Sequence, residues 1–140
     1  MENILWKMEY YIGQFKNYLR NGKGIMYYPN GDKYEGDFIN NKAEGTGKYI
    51  LKDGIYYIGQ FKNNLRNGKG IMYYQNGKIM YEGDYVNDKK EGNGKYILKD
   101  GSYYIGQFKN DLRNGKGLFY YSNDEIKQKG IWINDEFVEN

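Results

Sequence analysis

The 140-residue chain has no cysteine and no histidine. Without cysteine there is no disulfide framework and no thiolate metal site. Without histidine the usual general base and the commonest metal ligand near neutral pH are both missing. Aliphatic hydroxyls are confined to Thr46, Ser102 and Ser122, which leaves little material for a nucleophile. Nowhere does an apolar run approach the ~20 residues that span a bilayer. The first twenty residues carry charges throughout and lack the apolar stretch of a secretory signal. These absences predict a soluble, intracellular, cytoplasmic protein that is not an enzyme and holds no metal and no cofactor. The formal charge of +3 fits a weak preference for acidic surfaces and does not demand nucleic acid.

What the chain does have is aromatic rings and glycine in register. The apolar content is largely tyrosine, with 18 in all. Tyrosine buries its ring while its hydroxyl stays wet, which suits a thin structure without a deep interior. The phrase Tyr11-Ile12-Gly13-Gln14-Phe15 recurs at Tyr34, Tyr57, Tyr81 and Tyr104, at steps of 23, 23, 24 and 23 residues. Each copy is followed by a glycine pair: Gly22/Gly24, Gly45/Gly47, Gly68/Gly70, Gly92/Gly94 and Gly115/Gly117. A period in this range means one small unit copied in series, each copy burying its apolar face on its neighbours.

The finer period is doubled. Odd units read Tyr-Ile-Gly-Gln-Phe and even units Tyr-Glu-Gly-Asp, so the segment 11–56 recurs almost verbatim as 57–103 with one residue inserted near Lys78–Met80. Half-units frame the array. Ile4-Leu5 matches Ile50-Leu51, and Gly130 to Asp135 matches Gly83 to Asp88, with Gln128 where Tyr81 stands. The chain therefore divides as a single array into a cap at 1–10, units at 11–33, 34–56, 57–80, 81–103 and 104–127, and a cap at 128–140.

Within a unit the apolar period is two, and aromatic and β-branched residues are enriched, both marks of strands. Glycine is too frequent for stable helix. Asn30-Gly31, Asp53-Gly54, Asn76-Gly77 and Asp100-Gly101 supply the positive φ that tight hairpin turns need. Asn123-Asp124 replaces that signal in the fifth unit, which predicts a less regular last turn. The expected fold is all-β: a single-layer antiparallel meander of stacked hairpins, about a dozen strands, open at both ends.

The combination Tyr-x-Gly-x-Phe, Gly-x-Gly-x-Met-x-Tyr and Asn-Gly at a 23-residue step resembles the membrane occupation and recognition nexus (MORN) repeat. The resemblance covers Tyr11 to about Asp124, and the half-units more loosely. Departures are Tyr85 in place of Phe, an extra residue in units three and five, and the missing turn glycine of unit five. The resemblance implies an elongated, twisted sheet with an aromatic groove that binds protein segments or membrane surfaces, or oligomerises, without catalysis. A place in a larger cytoskeletal or ciliary assembly follows from the resemblance alone.

Three sets of residues are candidates for contact. The first is one face of the sheet: Tyr11, Phe15, Met26, Tyr28, Tyr34, Phe38, Tyr49, Leu51, Tyr57, Phe61, Met72, Tyr74, Tyr81, Tyr85, Tyr96, Leu98, Tyr104, Phe108, Phe119 and Tyr121. These rings are a core in the first place, but a single layer has no second layer to cover it. An open aromatic strip of that kind marks a binding site. It would capture an extended or helical segment of a protein partner. The second set is basic and lies in the odd units: Lys16, Arg20, Lys23, Lys62, Arg66, Lys69, Lys109, Arg113 and Lys116. Placed near the long inter-strand loop, these residues would form patches along one edge for anionic lipid headgroups, the alternative function of a peripheral membrane adaptor. The third set is the two tryptophans, Trp6 and Trp132. Both fall in the end caps, where they could serve end-to-end homo-association or docking onto a larger complex.

Other features carry less. Nucleic acid is a weaker partner, because acidic rows interleave the cations. The pairs Glu35/Asp37 and Glu82/Asp84 have the spacing of paired carboxylates, yet nothing in the sequence desolvates them. Gly-Lys-Gly superficially suggests a phosphate loop but has no helix after it. On the opposite face, apolar and charged positions alternate along the rows Ile12, Glu35, Ile58, Glu82, Ile105 and Ile25, Lys48, Ile71, Lys95, Leu118. The step of that alternation is two units, four strands or ~19 Å. This predicts a second contact surface whose partner repeats or lies extended along the sheet.

Overall fold

The computed structural model describes residues 9–139. All its regular elements are strands: β1 (Tyr10–Lys16), β2 (Leu19–Tyr27), β3 (Lys33–Ile39), β4 (Lys42–Ile50), β5 (Tyr56–Lys62), β6 (Leu65–Tyr73), β7 (Ile79–Val86), β8 (Lys89–Ile97), β9 (Tyr103–Lys109), β10 (Leu112–Tyr120), β11 (Ile126–Ile133) and β12 (Glu136–Glu139). They form one twelve-stranded sheet in chain order, every neighbour antiparallel. The single-layer meander expected from the sequence is what forms.

The turns are placed differently from the expectation. The tight two-residue turns lie at Asn17-Tyr18, Asn40-Asn41, Asn63-Asn64, Asn87-Asp88, Asn110-Asp111 and Asn134-Asp135, with both residues at positive φ, as a type I′ hairpin requires. The Asn-Gly and Asp-Gly pairs sit instead in five-residue loops between units. In the first loop Tyr28 N–H donates to the Asp32 carbonyl (3.0 Å) and Gly31 N–H to the Tyr28 carbonyl (3.1 Å). The Asn30 side-chain oxygen accepts from the Asp32 N–H (2.9 Å), the local Asx bond that makes Asn and Asp turn formers. The last loop is as regular as the others. Asp124 N–H donates to the Tyr121 carbonyl (3.0 Å), and Asp124 itself supplies the positive φ of 70°, a conformation Asp tolerates better than most residues.

The aromatic face closes on itself ring by ring. Tyr34, Tyr57, Tyr81 and Tyr104 are 0–1% exposed. Each ring lies across a glycine pair of neighbouring strands, such as Gly59 and Gly70, where a Cβ on Gly70 would fall inside the Tyr57 ring. That contact is why these positions must be glycine. The hydroxyl then reaches past the glycines to donate to a backbone carbonyl: Tyr34 to Asp37 (2.8 Å), Tyr57 to Gln60 (2.9 Å), Tyr81 to Asp84 (2.9 Å) and Tyr104 to Gln107 (2.8 Å). Every such tyrosine packs edge-on against the Phe (or Tyr85) of its own unit and against the equivalent ring of the next. Tyr34 meets Phe38 and Phe61, each at 5.0 Å between centroids, a favoured geometry for aromatic pairs. The series ends at Tyr104–Trp132 (5.1 Å) and Trp132–Phe137 (4.8 Å). Phe15 stands at the first described unit and is 61% exposed.

Where each hairpin's second strand passes the glycine pair it bulges, because five residues of β2 (Arg20 to Gly24) oppose three of β1 (Gly13 to Phe15). Gly22 takes φ +96° there, and the Gln14 side-chain oxygen accepts from the Lys23 N–H (2.7 Å). The same bond recurs from Lys69 to Gln60 and from Lys116 to Gln107. In unit four the carboxylate of Asp84 takes this place, accepting from Asn93 (3.3 Å). The extra residue of unit three, Met80, is absorbed as a second kind of bulge where Tyr73 pairs with Ile79 and Met72 with Tyr81.

Candidate functional site

The bulge has a consequence for the cations. Alternation places Arg20, Arg66, Lys90 and Arg113 on the aromatic face, and the bulge sets them directly opposite Phe15, Phe61, Tyr85 and Phe108. Ala43 holds the same place in unit two, opposite Phe38. Arg66 lies over the rings of Tyr57 (5.9 Å) and Tyr85 (5.0 Å), and Arg113 over Tyr104 (5.9 Å) and Phe119 (5.7 Å). These are cation–π distances. The tight turn of the following unit fixes each one. Arg66 N–H and Nε donate to Asp88 Oδ1 (2.7 and 3.2 Å), and its terminal nitrogen donates to the Asp88 carbonyl (2.7 Å). Arg113 repeats all three bonds with Asp135. Arg20 has Asn41 in that position. The Asn41 oxygen accepts the backbone N–H (2.9 Å), and Arg20 Nε is left buried without a partner among the described residues.

One wall of a groove is thus made of cations and turn carboxylates. The opposite wall is the row of loop-leading residues Tyr28, Leu51, Tyr74, Leu98 and Tyr121, and between the walls run Met26, Tyr49, Met72, Tyr96 and Phe119. Most of the predicted aromatic set forms core: Tyr34, Phe38, Tyr57, Phe61, Tyr81, Tyr85, Tyr104, Phe108, Met26 and Phe119 are buried. Tyr74, 9% exposed, is tied by its hydroxyl to the Ile97 carbonyl (2.6 Å). Tyr11, Tyr28, Tyr49, Leu51, Met72 and Tyr96 are half-buried, and Leu98 and Tyr121 are open. These line the accessible groove.

Two cavities interrupt it. The first, about 290 Å3, is walled by Asp32, Tyr49, Leu51, Tyr57, Phe61, Asn64, Arg66, Met72 and Asp88. The second, about 230 Å3, is walled by Lys90, Tyr96, Leu98, Tyr104, Phe108, Asp111, Arg113, Phe119 and Asp135. Eight lining positions coincide at an offset of 47 residues, counting Asn64 with Asp111 and Met72 with Phe119. The doubled period therefore reads out as one site built twice. The copies differ chiefly where Lys90 replaces Ala43 and where Asp32 closes the first copy alone. Asp32 accepts from the Tyr49 hydroxyl (2.8 Å) and the Lys52 N–H (2.9 Å).

The electrostatics are those of a drained surface. Burial pushes the Tyr57 hydroxyl up to about 12, against a smaller opposing pull from Arg66. Burial and then the Asp32 carboxylate raise Tyr49. Burial lowers Lys90, partly offset by Asp111.

The other predicted sets land as follows. Of the basic residues, Arg20, Arg66 and Arg113 belong to the groove wall. Lys23 and Lys69 form ion pairs with Asp37 and Asp84. Lys16, Lys62, Lys109 and Lys116 are exposed. Their surroundings are tight turns and bulges, whereas the expectation placed them near a long loop. Trp132 is 1% exposed, enclosed by Tyr104 and Phe137, so its ring closes the stack and does not face outward. Trp6 and most of the N-terminal cap lie outside the described residues. The turn residues Asn64, Asp88, Asp111 and Asp135 were not singled out from sequence. Their signal was a constant spacing: each aspartate beside an arginine follows it by 22 residues.

A sheet built from hairpins in series, each unit packed on the next, is a repeat module. The profile of the MORN repeat matches residues 11–33, 34–56, 57–79, 81–103 and 104–125. The chain belongs to the MORN repeat family, a family of protein- and membrane-binding repeat modules. The matched units leave out position 80, the bulged Met80. No curated protein matches the chain.

Proposed function

We propose that the chain is a non-catalytic scaffold module that captures a protein segment along its aromatic groove, anchoring it at two equivalent cavities. The observation that carries this reading is the duplication of the cavity at the two-unit step. Each cavity is smaller than the ~300–1,000 Å3 of drug-sized ligand sites and suits one side chain whose apolar body lies on the rings while its end meets the charged wall. Four strands separate the copies, ~19 Å at ~4.8 Å per strand. An extended partner covers that distance in about six residues at ~3.3 Å each, a helical one in about thirteen at 1.5 Å each. The bound segment therefore carries two such anchors at one of these spacings.

Leu51 and Leu98, equivalent residues in the two cavities, provide the test. Affinity capture from the native cell with the wild type, Leu51→Asp, Leu98→Asp and the double variant should give the same partner, progressively weaker, lost in the double variant and insensitive to salt. Capture unchanged in the double variant overturns the reading. Salt-sensitive binding to anionic liposomes, abolished by charge reversal at Lys16, Lys62 and Lys109, would instead favour the peripheral membrane adaptor.

A further inference from the structure

The back of the sheet carries a ladder in strict register. One row crosses Ile12, Ile25, Glu35 and Lys48 and repeats apolar, apolar, acid, base through β10. Beside it Tyr56 stacks on Tyr73 at 4.7 Å and 14°, a pair repeated at both flanking odd units. The row's apolar members on the first strand of each odd hairpin stay open, while Ile25, Ile71 and Leu118 are half-buried. Ile58 and Ile105 are each 40% exposed and Ile12 59%.

This order is self-complementary when reversed. About a twofold axis parallel to the strands and passing between β5 and β6, each strand faces the strand equally far on the other side. Ile58 then meets Ile71 of a second copy, Lys48 meets Glu82, and Glu35 meets Lys95. The outer positions set apolar on apolar, and Tyr56 meets Tyr73. Moving the axis by half a strand spacing destroys the match. On β5 it sets Glu35 against Glu82, and on β6 it sets Lys48 against Lys95. A displacement by whole two-unit steps keeps the pattern but shortens the overlap. The central four strands carry the apolar pair and both copies of the Lys48–Glu82 contact, so complementarity survives the twist that splays the ends of packed sheets.

From this reversal symmetry we infer that the back face is a homodimer interface. Two copies pack back to back, antiparallel along the array, in an isologous contact, which leaves both aromatic grooves facing outward. The occupant is a second copy of this chain because the row matches its own reverse in charge sign and in apolar position.

Charge exchange tests it. The wild type should sediment as a dimer. Glu35→Lys/Glu82→Lys opposes lysine to lysine at all four charge contacts, and Lys48→Glu/Lys95→Glu opposes glutamate to glutamate. Each variant alone should sediment as a monomer, and an equimolar mixture should return to the dimer. A second readout does not depend on reversed charges. The chain lacks cysteine, so Glu35→Cys and Lys95→Cys proteins can be mixed and treated with a short bifunctional maleimide. The pair lies ~10 Å apart across the interface, against ~26 Å between like positions, from sheet and strand spacings. Mixed cross-links should therefore form in large excess over like-with-like ones. A wild type that stays monomeric at its highest soluble concentration, a mixture that does not recover the dimer, or the absence of preferential mixed cross-linking overturns the proposal.

Discussion

The two faces of this sheet both carry apolar side chains and put them to opposite ends. On the front, Tyr57 is 1% exposed, T-packed on Phe61 and Tyr85 and hydrogen-bonded through its hydroxyl. One residue away in sequence, Ile58 points backward and is 40% exposed. What separates the two is glycine: only the front has a column of missing side chains into which a ring can lie. A single layer can thus own a core if one face surrenders its Cβ atoms to the rings of the same face. The other face then remains surface, free to meet a partner.

The difference can be broken or sharpened by substitution. Largest in effect is Tyr57→Ala, expected to cost ~3–5 kcal/mol as a buried aromatic removed from a packed core and read by urea denaturation. Alkali comes next. Tyr57 titrates in the folded chain at about 12, above its ordinary value of 10, so the folded state holds the proton longer. That contribution to stability is complete below pH ~10 and is lost as pH rises through about 12. Burial raises Tyr34, Tyr81 and Tyr85 in the same direction. Unfolding should therefore set in steeply above pH ~10 and track phenolate absorbance. A midpoint in urea that holds constant to pH ~12 would contradict this account.

Gly70→Ala drives a Cβ into the Tyr57 ring and should cost ~1–3 kcal/mol, as overpacked sites do. A smaller change of opposite sign is expected from Asn41→Asp. It offers the unpartnered Arg20 Nε the carboxylate that Asp88 gives Arg66, at a turn position where φ is 72° in both, and should stabilise by ~0.5–1.5 kcal/mol. Smallest is Ile58→Thr, within ~0.5 kcal/mol at dilutions that keep the chain monomeric. A back-face substitution as costly as Tyr57→Ala would erase the distinction between core and surface drawn here.

The repeats, the strands and the division of faces were legible because period two and period 23 are both written in side chains large enough to see: Tyr11, Tyr34 and Tyr57 announce the front, and Ile12, Glu35 and Ile58 the back. The turns were less so. Asn-Gly is the familiar hairpin signal, yet the I′ turns use Asn63-Asn64 and Asn87-Asp88, and the glycines serve five-residue loops. The groove wall was hidden for a related reason. The bulge around Gly68 adds two residues and keeps the alternation in phase, so counting by two from Met72 does put Arg66 on the front; what counting does not give is the ring it meets there, Phe61, which the bulged register sets. The coincidence of the two cavities could have been found from the 47-residue offset, but which residues they gather depends on contacts between successive units that no local pattern encodes.

The guanidinium bonds to the turns all reach forward along the array. Asn41 closes Arg20, Asp88 closes Arg66 and Asp135 closes Arg113, while the N–H groups of each turn reach back to the unit before, Asn41 to the Arg20 carbonyl and Asn40 to the Asn21 side chain. The array has a direction, as a zip has. During synthesis each odd hairpin emerges with its guanidinium unclaimed and waits 21 or 22 residues for the amide or carboxylate that secures it. Trimming a unit from the C-terminal end takes the fastening from the unit before it, whereas trimming from the N-terminal end takes the acceptors from the next turn's N–H groups.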